Sequence, residues 1–140
     1  MNALSERPIE LEGLKVSVDS VVYHYDPDIS PEPERPHAFI YFISIKNLSN
    51  QTVTLDRRRW ILGYHDGTRE ILDCPTIMGE NPTIPQGGTY SYNSYHFAER
   101  STYVSGSYLG LSIELQPIFA RIPPFWMEVP EPDRQMELGI

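Results

Sequence analysis

Apolar residues along this chain recur in twos rather than at the spacing of a helix, and Gly, Pro, Asn and Asp interrupt the alternation at short intervals. That period belongs to half-buried strands of antiparallel sheets. A first strand is expected over 15–25, with Val16, Val18 and Val22 directed inward. Pro27, Pro31, Pro33 and Pro36 then make the acidic stretch 26–36 a loop, because each removes a backbone donor and fixes its own φ. Residues 39–46 are apolar at nearly every position, with Phe39, Tyr41, Ile43 and Ile45 on one face, as a central sandwich strand requires. After a turn at 47–51, Val53 and Leu55 form a short strand. Residues 60–64 then pair with 69–72 through His65-Asp66-Gly67, Asp-Gly being the strongest short hairpin signal.

The stretch 74–85 holds Pro75, Gly79, Pro82 and Pro85 and is expected to be an irregular loop. Gly87-Gly88 opens a strand over 89–95, in which Tyr90, Tyr92 and Ser94 alternate with Ser91, Asn93 and Tyr95. The last strands span 103–115 and 118–122, and Pro123-Pro124 bends the chain before 125–129, seating Phe125 or Trp126 in the core. About seven short strands with turn signals every eight to twelve residues predict an all-β, immunoglobulin-like or fibronectin type III-like two-sheet antiparallel β-sandwich, a barrel being the competing closure. With 140 residues the chain has the size of one domain, expected over 14–130 between an N-terminal arm (1–13) and a C-terminal tail (131–140), both flexible.

Nineteen acidic residues against eleven basic ones leave a net charge of −8, which opposes general attraction to nucleic acid or to an anionic membrane. Much of the acidic excess lies near the ends, so the middle of the chain is closer to neutral. The single cysteine, Cys74, has no internal disulfide partner, and residues 1–13 lack the basic-then-apolar layout of a secretory signal, so the expected compartment is the cytoplasm. The longest apolar run, 38–45, is far short of the ~20 residues a membrane-spanning helix needs. In that setting the sequons at Asn47 and Asn50 are turn chemistry.

A set of short strings in fixed order resembles the ApaG family: Ile45-Lys46-Asn47, Arg59-Trp60-Ile61, Gly79-Glu80-Asn81-Pro82, then Gly87 with Tyr90 and Tyr92, Ser105-Gly106-Ser107-Tyr108, and Ile122-Pro123-Pro124-Phe125 before Glu128-Val129-Pro130. The resemblance covers about 14–130 and implies a fibronectin-type sandwich. It also implies a domain that stands alone in bacteria and is fused to other modules in eukaryotes, including an F-box protein and a polymerase-associated protein, where it recognises partners. Bacterial members are associated with divalent-metal tolerance and with diadenosine tetraphosphate metabolism. Those members usually carry a GxGxxG loop proposed to hold pyrophosphate. Here the corresponding stretch reads Cys74-Pro75-Thr76-Ile77-Met78-Gly79, keeping only the last glycine and adding a proline without an N–H.

Candidate chemistry is sparse. Arg57-Arg58-Arg59 is the only basic cluster; on a strand Arg57 and Arg59 project together and Arg58 and Trp60 oppositely, giving either an anion or acidic-partner site or solvated strand-edge charge with Trp60 in the core. A small-ligand site for pyrophosphate, a nucleotide or a divalent cation would combine Arg57 and Arg59 with Asp73, Thr76, Gly79, Glu80 and Asn81. His65 and Asp66 read as turn residues, and His24, His37 and His96 are scattered. A weak divalent site would more plausibly use the acidic stretch 26–34, whose oxygens suit magnesium, although disorder is the favoured reading of that stretch. Cys74, Ser101 and Ser105 lack the neighbours of a nucleophile, and no cofactor, zinc or acid–base motif is present. Tyr90, Tyr92 and Tyr95 are the expected partner surface, tyrosine giving contact area at low entropy cost. The resulting expectation is a non-catalytic module that binds a protein partner, with edge pairing into a homodimer open to any such sandwich.

Overall fold

The structure, a computed structural model, describes residues 7–131. Its strands are β1 (Ile9–Glu10), β2 (Leu14–Tyr25), β3 (His37–Asn47), β4 (Val53–Gly63), β5 (Arg69–Cys74), β6 (Thr83–Ile84), β7 (Thr89–Ala98), β8 (Thr102–Ser112) and β9 (Pro117–Met127). They form two sheets: a larger one in the order β1-β9-β8-β4-β5, with β6 pairing β4, and a smaller one in the order β2-β3-β7. This is the expected two-sheet sandwich, all pairings antiparallel except β1 against β9. Phe39, Tyr41, Ile43 and Ile45 from β3 meet Val53, Leu55, Trp60 and Leu62 from β4, with Val104, Tyr108, Ile118 and Ile122, in one buried core. Trp60 sits edge-on to Tyr41, 5.3 Å between centroids, and to Phe125, at 6.4 Å, so one indole joins the two layers.

Two bulges decide which side chains face inward. In β2 the register shifts between Val18 and Ser20. Val16 and Val18 face the core before the shift, Val21 and Tyr23 after it, and Val22 points outward instead of in. The extra residue, Asp19, accepts hydrogen bonds from Ser17 Oγ and Ser44 Oγ. In β4 the shift falls between Leu55 and Arg57, so Val53 and Leu55 point inward and then Arg58, Trp60 and Leu62 do. The two short strands expected around 53–64 are therefore one bulged strand. Likewise 117–127 is one strand, in which Pro123-Pro124 forms a register shift opposite Val104 and Gly106. Phe125 packs against the core there, while Trp126 lies outside on Tyr103 and His65.

The expected hairpin is present, Trp60 to Gly63 opposite Leu72 to Arg69, with Asp66 Oδ1 accepting from the Thr68 amide and hydroxyl. Within the expected irregular loop, Ile77 and Glu80 exchange backbone hydrogen bonds around Met78 (φ 50°) and Gly79 (φ 82°), a tight turn with both central residues left-handed. Thr83–Ile84 adds a short strand. The expected N-terminal arm is partly sheet, since Ile9 and Glu10 pair with Ile118 and Phe119. The rest of it, residues 1–6, and the tail over 132–140 lie outside the described residues.

Candidate recognition surfaces

Strand alternation sets Arg57 and Arg59 on the outer face of the larger sheet and Arg58 on its inner face. Arg59 makes a two-pronged ion pair with Asp73 on β5, Nε to Oδ1 at 2.7 Å and Nη2 to Oδ2 at 3.0 Å. The guanidinium holds the Asp73 carboxyl below the usual carboxylate value. Among the described residues the one side-chain hydrogen bond of Arg57 is a 3.4 Å contact from Nε to its chain neighbour Asp56, and its charge also helps lower Asp73. Arg57, Arg59 and Asp73 share an open cleft of about 430 Å³ with Pro8, Ser107, Leu109 and Phe119.

The other four residues of the expected ligand site lie elsewhere. Thr76, Gly79, Glu80 and Asn81 follow β5 on the loop that crosses toward the smaller sheet. Tyr90 on β7 donates to Glu80 at 3.5 Å, and Ser94 lies against Met78. The loop consumes its own amides: Gly79 N donates to Thr76 Oγ1, Glu80 N to the Ile77 carbonyl and Ile77 N to the Glu80 carbonyl. A phosphate cradle needs such amides converging and free.

Arg58 is a feature the sequence reading missed. It is only 9% exposed, its Nε donates to the Thr76 carbonyl at 3.2 Å, and its guanidinium carbon lies 5.9 Å from the Tyr92 ring centroid. Nη1 is buried without a hydrogen bond among the described residues. Burial works against its charge, but the Tyr92 hydroxyl and the nearby Tyr41 and Cys74 outweigh that and raise its pKa above the ordinary arginine value. Tyr92 and Tyr108 share a 2.5 Å hydrogen bond, and burial pushes the Tyr92 phenol up to about 12 and Tyr108 further. Tyr90 and Tyr92 thus face the interior, half-buried, and their aromatic character serves this inner cluster rather than an open surface. The signal available beforehand was the alternation of Arg58 with Trp60.

Tyr95, from the same expected trio, points the other way and is 61% exposed. On the outer face of the smaller sheet, Val22 of β2 lies opposite Ile40 of β3, which lies opposite Tyr95 of β7. Phe42 and Phe97 extend this row, and Ile29, 70% exposed, reaches it from the loop 26–36. His24, Asp26, Ile29, Pro31, Ala38, Ile40, Tyr95 and Phe97 enclose a shallow hollow of about 500 Å³. Among the described residues, no three His, Cys, Asp or Glu side chains gather as metal ligands would, and no helix is long and apolar enough to cross a membrane.

A two-sheet sandwich whose notable surfaces are an apolar sheet face and an arginine-lined cleft defines the class: a small immunoglobulin-like β domain. Comparison with known proteins places it more narrowly. The model of the ApaG domain matches residues 27–111. The "Protein ApaG" of Vibrio cholerae serotype O1 (strain M66-2) is 32% identical over 123 residues, 87% of this chain and 95% of that protein. That of Klebsiella pneumoniae (strain 342) is 34% identical over 116 residues, 82% of this chain and 90% of that protein. An X-ray structure of a Northeast Structural Genomics Consortium target superimposes with a TM-score of 0.74 at 26% identity, covering 86% of this chain and 89% of the other. The chain belongs to the ApaG family.

The family strings now have physical reasons. Asn47 is fully buried and spends its amide on Gln51 O, Ile84 O and Ser49, fixing the turn after β3. At Gly106 any Cβ would stand 2.1 Å from the Arg59 carbonyl oxygen, so only glycine lets β8 approach β4 there. Tyr108, two residues on, is fully buried.

Proposed function

We propose that this ApaG domain is a non-catalytic recognition module that docks a protein partner bearing an apolar surface on the outer face of β2-β3-β7. The observation that carries this reading is the continuous row Val22–Ile40–Tyr95, flanked by Phe42, Phe97 and Ile29. Single exposed apolar residues are ordinary on a protein surface; a contiguous set across three strands and a loop marks an interaction site. Tyrosine and phenylalanine are also the residue types that interface cores favour. The alternative, a small-ligand sensor for pyrophosphate, a nucleotide or a divalent cation built on 73–81 with Arg57 or Arg59, is less well supported, because the loop's amides at Ile77, Gly79 and Glu80 are engaged and Arg59 is already paired with Asp73.

A photo-cross-linking amino acid placed at Tyr95, and separately at the exposed Arg69 on β5, tests the reading in the host cell. The expected result is one discrete adduct from position 95, absent from 69, and lost when Ile40→Asp is added to a variant whose circular dichroism is unchanged. Identical adducts from both positions, or none from 95, would sink it.

A further inference from the structure

The outer face of the larger sheet carries a second feature, independent of the apolar face on the other sheet. The cleft of about 430 Å³ at Arg57 and Arg59 and a neighbouring one of about 590 Å³ at Ile61, Ser105, Arg121 and Pro123-Pro124 share Ser107 and Phe119. They form one trough along β8, with Ser105, Gly106 and Ser107 as a floor that rises no higher than a serine hydroxyl. Pairing register fixes what stands on either side. Ser107 lies opposite Arg59 of β4 on one side and Arg121 of β9 on the other, and one pair further along Leu109 lies between Arg57 and Phe119. With strands about 4.8 Å apart, the two arginine-bearing walls stand roughly 10 Å apart, the width of one extended chain with its side chains.

The arginines are unequally engaged. Arg59 is held at two points by Asp73. Arg121 hydrogen-bonds Glu10 through Nε alone, at 3.2 Å, with its guanidinium carbon 5.9 Å from the Phe119 ring centroid. Arg57 hydrogen-bonds Asp56 through Nε alone, while its charge also acts on Asp73. The terminal nitrogens of Arg57 and Arg121 have no hydrogen-bond partner among the described residues. In a chain of net charge −8, these two guanidinium groups, with the Arg59–Asp73 pair beside them, border a trough whose centre is the apolar pair Leu109 and Phe119. Guanidinium is the side chain best shaped to grip a carboxylate with two parallel hydrogen bonds.

We propose that this trough binds an extended acidic peptide segment of a partner protein, with carboxylates at Arg57 and Arg121 and an apolar side chain between them on Leu109 and Phe119. The stretch from Phe119 to Pro124 accommodates about five extended residues at ~3.3 Å each. Each arginine of the trough already faces one carboxylate. The occupant is therefore selected by the donors left free on the terminal nitrogens of Arg57 and Arg121, which suit a carboxylate and not a basic group, and the apolar centre selects a peptide over a bare anion.

The test is fluorescence anisotropy on the full chain with the labelled hexapeptide Glu-Asp-Leu-Phe-Asp-Glu, its Lys-for-acid counterpart and inorganic pyrophosphate as competitor. Expected are saturable binding of the acidic peptide, at least tenfold weakening by Arg57→Glu and by Arg121→Glu, and weakening as salt rises. The basic peptide stays unbound, pyrophosphate does not compete at equal concentration, and Arg100→Glu, away from the trough, changes nothing. Ser107→Trp, which fills the floor, abolishes binding. No saturation at millimolar protein, affinity indifferent to both charge reversals, or displacement by equimolar pyrophosphate would each overturn the proposal. Because Tyr95→Ser leaves the trough intact, peptide binding by that variant separates this site from the apolar face.

Discussion

The two faces of β4 treat three consecutive arginines in opposite ways. On the outer face Arg57 and Arg59 stand in water, and their contacts to Asp56 and Asp73 are of the exposed kind that adds little to stability. On the inner face Arg58 is enclosed by tyrosines and a backbone carbonyl, with no carboxylate paired to it among the described residues. The difference comes from one extra residue, Asp56, which lets Leu55 and Arg58 share the interior although they are three positions apart. Where a charged side chain sits relative to a bulge therefore decides whether it is part of the scaffold or part of the surface.

The largest blow to the inner face is expected from Trp60→Ala, at about 3–5 kcal/mol, read as a lower urea midpoint, because it empties the contact between the layers. Arg58→Ala should follow at about 2–4 kcal/mol, since it leaves the Thr76 carbonyl unpaired and a gap behind it. Arg58→Met should cost clearly less than Arg58→Ala, because an apolar chain of similar length fills the space without a buried charge. An Arg58→Met variant as unstable as Arg58→Ala would show that the charge itself, and not the volume, holds the site.

Raising the pH attacks the same face by another route. Tyr92 is held neutral by burial up to about 12, above the ordinary tyrosine value of 10. The unfolded chain then loses its proton first, so stability should be flat below about pH 10 and fall between about pH 10 and 12. Tyr92→Phe should make that fall shallower in a urea-midpoint series without removing it, because burial also raises Tyr108 and Tyr64. On the outer face the smallest effect is expected: Arg59→Ala should leave the melting temperature unmoved, and a drop as large as that of Arg58→Ala would erase the contrast. At acid pH the change should be local. Asp66, lowered to about 2 by the Thr68 hydroxyl and amide and by Arg100, contributes above about pH 4, and that contribution is lost as pH falls toward 2. The Thr68 and Gly67 amides should then lose protection, measured against the intrinsic exchange rate at each pH, while the core holds.

Much of the architecture was legible beforehand because period-two alternation and Asp-Gly are local signals. The β3 core face and the hairpin at His65-Asp66-Gly67 needed nothing else. The bulges at Asp19 and Asp56 were not legible, since each is fixed by the partner strand and no local residue type announces it. That is why Val22 was expected inside. The expected ligand site scattered for a related reason: Asp73 and Thr76 are neighbours in sequence, but one closes an ion pair on the outer face and the other's carbonyl caps a buried guanidinium. The tyrosines divided likewise, since Tyr92 and Tyr95 differ by an odd number of positions and cannot share a face of one regular strand.

The two-residue strand β1 has a consequence for handling the protein. It lies parallel on Ile118 and Phe119, Leu11 N extends the ladder to the Phe119 carbonyl at 3.0 Å, and Glu10 anchors Arg121. A protease cut ahead of Gly13 would strip this cover and leave β9 with a bare rim of donors and acceptors, a template on which another strand can pair. Shelf life in solution should accordingly be set by the integrity of about five residues, long before the core itself fails.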